Sequence, residues 1–213
     1  PENMNMFMNM VGTMYSVTDD LTIMGMFPYI SKSMTGSMAM NMGNNSGMNM
    51  ATNNTSSMDI QGFGDIRIDA LYNIFQNELH SVIFRLGTSL PTGNINGKGD
   101  MHGSPNQQYP YPMQMGSGTF DLLTGITYTS GLSDWTWGGQ INGNIRLGKN
   151  SNNYALGNSY NFTAWGGRRI LNWLHSFVRV NLDTWDNISG KDTNMNEKMT
   201  PAARTDLRAG TKL

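Results

Sequence analysis

The chain has 213 residues, a formal net charge of −1 and only 14% charged residues, so nothing in its balance asks for nucleic acid as a partner. It has no cysteine, which removes disulfides, thiolate metal sites and cysteine nucleophiles together. No run of about 18 apolar residues occurs, which excludes a helical membrane span; the mean hydropathy of −0.41 is compatible with a transmembrane barrel, where only alternate residues meet lipid.

The chain opens at Pro1 with no basic–apolar leader, which predicts either a removed signal peptide or a piece of a longer protein. Residues 3–16 and 21–31 read as the first two strands, joined by a short turn carrying Asp19 and Asp20. Met4, Met6, Met8 and Met10 share one face of the first strand, and Met24 and Met26 one face of the second. On the opposite parity, Asn3, Asn5 and Asn9 suit an aqueous interior, whereas Phe7, Val11 and Tyr15 suit lipid. Which wall the methionines take therefore depends on the hairpin register.

The connection 32–58 is long and continues the methionine bias with Met34, Met38, Met40, Met42, Met48, Met50 and Met58; 14 of the 19 Met residues lie in the first 58 positions. Thioether sulfur is a soft, uncharged ligand suited to Cu(I), and Met-x-Met spacing lets two or three converge on one ion. Met38, Met40, Met42, Met48 and Met50 are the candidate ligands, and Cu(I) is the one cofactor the sequence points to. The competing role is that of flexible apolar filler.

Residues 59–73 write the pattern most clearly. Gln61, Asp65, Arg67 and Asp69 share one parity, and Ile60, Ile66, Ile68, Ala70 and Tyr72 the other. Further strands are predicted at 79–90, 117–129, 135–148, 159–171, 173–186 and 206–213. Connections at 17–20, 74–78, 130–134 and near Asn172 are short. Those at 32–58, 91–116, 149–158 and 187–205 are long and rich in Gly, Asn, Ser and Pro. Short turns alternating with long loops, repeated two-faced strands and aromatics at strand ends (Tyr15, Tyr72, Tyr128, Trp135, Trp137) predict an all-β, antiparallel transmembrane β-barrel of the bacterial outer-membrane type. It is read as a single domain over 1–213. Nine strands are counted, an even number is expected, and the chain reads as a fragment of a barrel of about 10–12 strands.

Parity assigns Asp65, Arg67, Asp69, Arg85, Asp121, Arg146, Arg179 and Asp183 to a lumen charge network, with Gln140, Asn142, Asn144, His175, Asn181, Arg208 and Lys212 beside them. Mixed signs predict Arg–carboxylate pairs across strands, since an unpaired charge in a confined lumen is costly. The outer wall is predicted to hold Val82, Phe84, Leu86, Phe120, Leu122, Ile126, Ile141, Ile145, Leu147, Val178, Val180 and Leu182. Catalytic chemistry finds no foothold. His80, His102 and His175 are scattered, Gly62-Phe63-Gly64 and Gly116-Ser117-Gly118 open no helix, and no nucleophile elbow occurs.

Two stretches go beyond composition: Gly87-Thr88-Ser89-Leu90-Pro91-Thr92-Gly93, and Pro105-Asn106-Gln107-Gln108 through Gly116-Ser117-Gly118-Thr119-Phe120-Asp121. With Met14-Tyr15, Leu21–Met24 and Pro28-Tyr29, they make the chain resemble the outer-membrane transporters grouped with the meta-pathway phenol-degradation protein, in particular their Met-rich branch. The resemblance implies a bacterial outer-membrane barrel that passes aromatic or other apolar compounds, and it brings no binding residues to carry over. The expected partners are membrane lipid and either a small apolar molecule or a copper ion. The three functions in view are passage or binding of small apolar compounds, capture of Cu(I) by the Met loop, and a structural barrel plugged by its own ion pairs.

Overall fold

The computed structural model describes residues 3–38, 54–101, 104–171, 174–190 and 204–212. They form an all-β structure without an α-helix among the described residues, dominated by one antiparallel, strongly curled half-barrel sheet. In chain order the strands are β1 (Asn3–Ser16), β2 (Leu21–Met38), β3 (Asn54–Phe63), β4 (Ile66–Gln76) and β5 (His80–Leu90). A small hairpin of β6 (Lys98–Met101) and β7 (Ser104–Gln108) follows, with a 3-10 turn at Tyr111–Met113. The sheet resumes with β8 (Phe120–Leu132) and β9 (Trp135–Leu147), passes the two-residue β10 (Tyr154–Ala155), and continues with β11 (Ser159–Leu171) and β12 (Leu174–Trp185). The two-residue β13 (Ser189–Gly190) pairs with β10 in a separate small ladder, and β14 (Arg204–Lys212) ends the large sheet.

Neighbours in the sheet are neighbours in sequence, β1-β2-β4-β5-β8-β9-β11-β12-β14, with β3 extending β4 along β2. The nine predicted strands are therefore nine rungs of one meander, once β3 and β4 are counted as a single bent strand. The described short connections are tight. Val17 N–H reaches Leu21 O, and Thr18 Oγ1 accepts from the Asp20 and Leu21 amides. Asn77 Oδ1 accepts from Leu79 and His80, and Ser133 takes a left-handed φ of 53° in the Ser133-Asp134 turn. Each hairpin is also tied to the next: Asn73 N–H to Asp20 O, Gly131 N–H to Leu79 O and Arg169 N–H to Asp134 O.

The residues assigned to a wall keep their predicted parity from β4 to β12, where register shifts at Asn73/Phe75 and Arg169/Leu171 fall only at strand ends, and the assignment breaks between β3 and β4. Met26 pairs with Arg67 and Tyr29 with Phe63, so three steps along β2 face four along β3–β4. The extra residue is a bulge at Gly64-Asp65, and it reverses the alternation. Ile60, predicted on the outer wall with Ile66 and Ile68, instead faces inward with Gly62, and Gln61 faces outward beside Phe63. Pro28 sits opposite this bulge, where its carbonyl accepts from Gly64 N–H; a proline inside a sheet is tolerated where the ladder is already interrupted.

The packing is inside out for a conventional domain. Phe7, Tyr15, Tyr72, Phe84, Ile126, Trp135, Trp137, Ile141 and Val178 are all exposed on the convex wall. The two most deeply buried apolar side chains, Met113 and Tyr154, lie off the large sheet. Met113 (0% exposed) and Tyr109 pack with Met34 and Ile60, while Tyr154 (1% exposed) and Tyr111 pack with Leu156 and Ile188. Apart from Met34 on β2 and Ile60 on β3, these residues come from the long connections, which fold into a cap over the concave face at the end where β2 and β3 extend.

Candidate functional site

The register decides the wall that alternation left open. Met10 pairs with Pro28, Gly12 with Met26 and Met14 with Met24, and on the other edge of β2 Met24 pairs with Asp69 and Met26 with Arg67. The even positions of β1 thus lie on the same concave face as the charges of β4. Met8, Met10 and Met26 line one cavity together with Arg67, Asp121 and Arg146. Asn5, Phe7, Asn9, Val11, Thr13 and Tyr15 point to the convex side.

The cavity has a volume of about 320 Å³. One side is apolar, formed by Met8, Met10, Met26, Pro28 and Ile30. The other is polar, formed by Asp65, Arg67, Ser89, Asp121 and Arg146, and the cap closes it with Tyr111, Gln114, Met115 and Leu156. The cap is held by specific bonds. Lys32 Nζ donates to Gln114 O, Gln114 Oε1 accepts from Gly97 N–H at 2.9 Å, and Gln114 Nε2 donates to Tyr109 O at 2.7 Å. The Tyr111 and Tyr154 rings pack at a tilt with centroids 4.5 Å apart, joining the connection before β8 to the connection before β11. Asn150 Nδ2 donates to Ser117 O, adding a polar tie between the same two segments.

The eight predicted lumen charges do not form one continuous ladder. Asp69 and Arg85 form a two-pronged pair, Arg85 Nε to Oδ1 at 2.8 Å and Nη2 to Oδ2 at 3.0 Å, with Asp69 fully buried. Asp121 and Arg146, directly opposite on β8 and β9, form a second pair, and Thr119 Oγ1 also donates to Asp121 at 2.7 Å. These are the two ion pairs among the described residues. Asp65 joins neither. At the bulge, its Oδ1 accepts from Gly93 N–H, and its Oδ2 accepts from both Ser117 N–H and Ser117 Oγ, at 2.7–2.9 Å. Thr92 Oγ1 completes the junction by accepting from Ile66 N–H and donating to Gly64 O. Asp65 is thus an anchor for the cap rather than a rung of the charge ladder.

Arg179 and Asp183 correct the predicted ladder in the same way. Arg179 lies 5.9 Å from the Trp165 ring, and Asp183 accepts from Asn161 Nδ2 at 2.6 Å. Arg67 is the outlier. It is exposed on the concave face, has no ion-pair or hydrogen-bond partner among the described residues, and lines both this cavity and a second one of about 260 Å³ bounded by Arg85, Leu123, Asn142, Asn144, Asp183 and Trp185. Around it the wall also carries buried polar atoms without partners, Asn142 Oδ1, Asn144 Oδ1 and Arg146 Nε.

Of the predicted loop ligands, Met40, Met42, Met48 and Met50 lie outside the described residues, and Met38 is placed only as the last backbone position of β2. Arg208 and Lys212 are placed by register alone, opposite Asn181 and Phe177. His80 sits at a strand end on the convex side, with Nδ1 2.9 Å from Tyr128 Oη. What sequence reasoning missed is the cap. Gly93 and Gly116 touch back to back, since a Cβ on Gly93 would meet Gly116 Cα at 2.6 Å, and both abut Asp65. The Leu90–Gly93 and Gly116–Thr119 stretches therefore meet at one carboxylate, a long-range contact that only the Gly64-Asp65 interruption of a strand pattern hinted at. No family model matches the chain, and no curated protein matches its sequence.

Proposed function

We propose that this chain forms part of a bacterial outer-membrane β-barrel that binds and passes small apolar or aromatic molecules through its concave side. The observation that carries the reading is the two-sided cavity under the cap. A thioether and aliphatic wall of Met8, Met10, Met26 and Ile30 faces an unpaired Arg67 across a space the size of a single-ring compound. An apolar body lies against the methionines, whose unbranched side chains adjust to its shape, and Arg67 orients a carboxylate or phenolate end.

Membrane location is supported by the convex wall. A continuous exposed surface of Phe, Ile, Leu, Val and Trp is far beyond what an isolated soluble protein leaves in water. Strands β5, β8, β9, β11 and β12 run 11 to 13 residues, against the ~9–11 a tilted strand needs to cross a bilayer. At the short-turn end Tyr128 packs on Trp137 at 5.2 Å, and Arg168 lies 5.1 Å from the Trp135 ring, an amphipathic belt of the kind found at a lipid–water boundary. The resemblance to outer-membrane transporters of aromatic compounds points the same way.

The test is equilibrium binding of benzoate and of neutral toluene to the purified protein in detergent micelles, for the wild type and Arg67→Gln. Loss of a charge-assisted bond of about 1.5–3 kcal/mol is expected to weaken benzoate binding by about tenfold or more, with toluene binding changed by less than about twofold. Failure of the wild type to bind either probe, or an equal loss for both, contradicts the reading.

A further inference from the structure

We infer that the concave face of the β1–β2 hairpin carries a soft-metal site, built from Met14, Met24 and Met26 with Met10 as a fourth thioether, for a monovalent ion of the Cu(I) or Ag(I) class. The site is distinct from the Met38–Met50 loop; it shares Met10 and Met26 with the cavity wall but does not rest on the aromatic-ligand reading.

Placement comes first. Met14 and Met24 are directly opposite across the strand pair, and so are Gly12 and Met26. Directly opposite Cβ atoms lie about 5 Å apart and next positions on one face about 7 Å apart. Met14, Met24 and Met26 therefore occupy three corners of a small rectangle, and Gly12 is the fourth. That corner is open: a Cβ added to Gly12 meets nothing closer than Gly25 O at 3.7 Å and Met26 Cγ at 4.0 Å. Met10 is the next concave-facing position on β1 and borders the same opening. Flexible thioethers with three rotatable bonds, at this spacing, reach one ion over the middle of the rectangle.

Face selection argues against simple filler. On β1 the concave positions from Met6 to Met14 read Met6, Met8, Met10, Gly12 and Met14. The convex positions Asn5 to Tyr15 contain no methionine and take their apolar residues from Phe7, Val11 and Tyr15. A wall that needed only apolar volume would draw on Leu, Ile and Val, as the convex walls of β5, β8 and β9 do. The donor set also selects the ion. Among the described residues no group of three His, Cys, Asp or Glu could hold a metal, and Asp69, the carboxylate paired with Met24, is engaged by both prongs of Arg85. A site of neutral sulfur donors alone disfavours Zn(II), Mg(II) and Ca(II) and favours a soft monovalent ion.

The experiment titrates the full chain, folded in detergent micelles under ascorbate, with Cu(I) held by a colorimetric chelator, and repeats the titration with Ag(I). Three variants are compared. Replacing Met10, Met14, Met24 and Met26 by Leu keeps apolar volume while removing the sulfurs. Gly12→Leu keeps every sulfur but fills the open corner, where an added Cβ makes only ordinary van der Waals contacts. The third variant replaces Met38, Met40, Met42, Met48 and Met50 by Leu. The expected result is one competed ion per chain, lost in the four-Leu variant, weakened at least tenfold by Gly12→Leu and retained in the loop variant, with X-ray absorption showing sulfur-only coordination. The inference is overturned if the wild type competes for no ion, if Gly12→Leu leaves affinity unchanged, or if the loop variant alone abolishes binding. Benzoate binding by the wild type and the loop variant, both of which keep Met10 and Met26, shows separately whether the cavity reading stands.

Discussion

Replacing Asp69 with alanine is expected to destabilise the folded protein by about 3–5 kcal/mol, the loss that follows when one partner of a buried ion pair is removed and the other charge remains. Asp69 is fully buried, and its two oxygens are taken by Arg85, whose side chain is itself only 21% exposed. Without the carboxylate, the Arg85 guanidinium shares the concave face with the unpaired Arg67 and the already committed Arg146. Gly87 shows how closely the pair is accommodated. It lies directly opposite Asp69, and a side chain there would run into Asp69 Oδ1 and sit 2.6 Å from Ile68 O. Urea unfolding in detergent micelles checks the value, and a double-mutant cycle with Arg85→Gln separates the pair from the backbone context. A loss below about 1 kcal/mol, the range of solvent-exposed pairs, would mean that this region of the concave wall is wet rather than braced.

Ile141→Arg carries the second large expectation. Ile141 lies in the middle of β9 on the convex side, exposed, with Ile126 and Phe162 as its cross-strand neighbours. If this wall meets hydrocarbon, a guanidinium at mid-strand is expected to cost about 2–4 kcal/mol, while the same change at Leu132 or Leu147, near the two ends, is expected to cost about 0–1 kcal/mol. If the wall met water, all three exposed sites would shift stability by no more than about 0.5 kcal/mol. Folding into lipid bilayers, read by equilibrium denaturation, distinguishes a depth profile from a flat one.

The strands were legible in the sequence because period-two alternation is a local signal. β1 and β11 coincide with the predicted segments, and β5, β8, β9, β12 and β14 lie within three residues of theirs at either end. The bulge at Gly64-Asp65 was the first limit. One extra residue reversed the faces of Ile60 and Gln61, and alternation counted through it assigns both to the wrong wall. The Met stripe was the second. A strand with Phe7 and Val11 on one side and Met8 and Met10 on the other is apolar both ways, so only pairing with β2, and of β2 with the charged β4, decides between them.

The site was legible in part. Asp69, Arg85, Asp121 and Arg146 pair as opposite charges on one face should. Asp65 does not, because its partners are the Gly93 and Ser117 amides and the Ser117 hydroxyl, 28 and 52 residues away. The cap eluded sequence reasoning for a similar reason. Segments rich in Gly, Asn and Pro read as loop, and the burial of Met113, Tyr109 and Tyr154 depends on three connections meeting in space.

The absence of native cysteine permits the most direct test of the central claim, that the convex wall faces lipid and the concave wall an aqueous interior. Single cysteines at Phe84, Ile126, Ile141 and Val180 on the convex side, and at Thr127, Gln140 and Asn181 on the concave side, would be spin-labelled in protein reconstituted into bilayers. Relaxation by apolar oxygen and by a water-soluble nickel chelate reports the medium each label meets. The expected result is oxygen-dominated relaxation at the four convex sites and nickel-dominated relaxation at the three concave ones, alternating between Ile126 and Thr127 and between Gln140 and Ile141. Equal nickel access on both walls, or the reverse alternation, would contradict it.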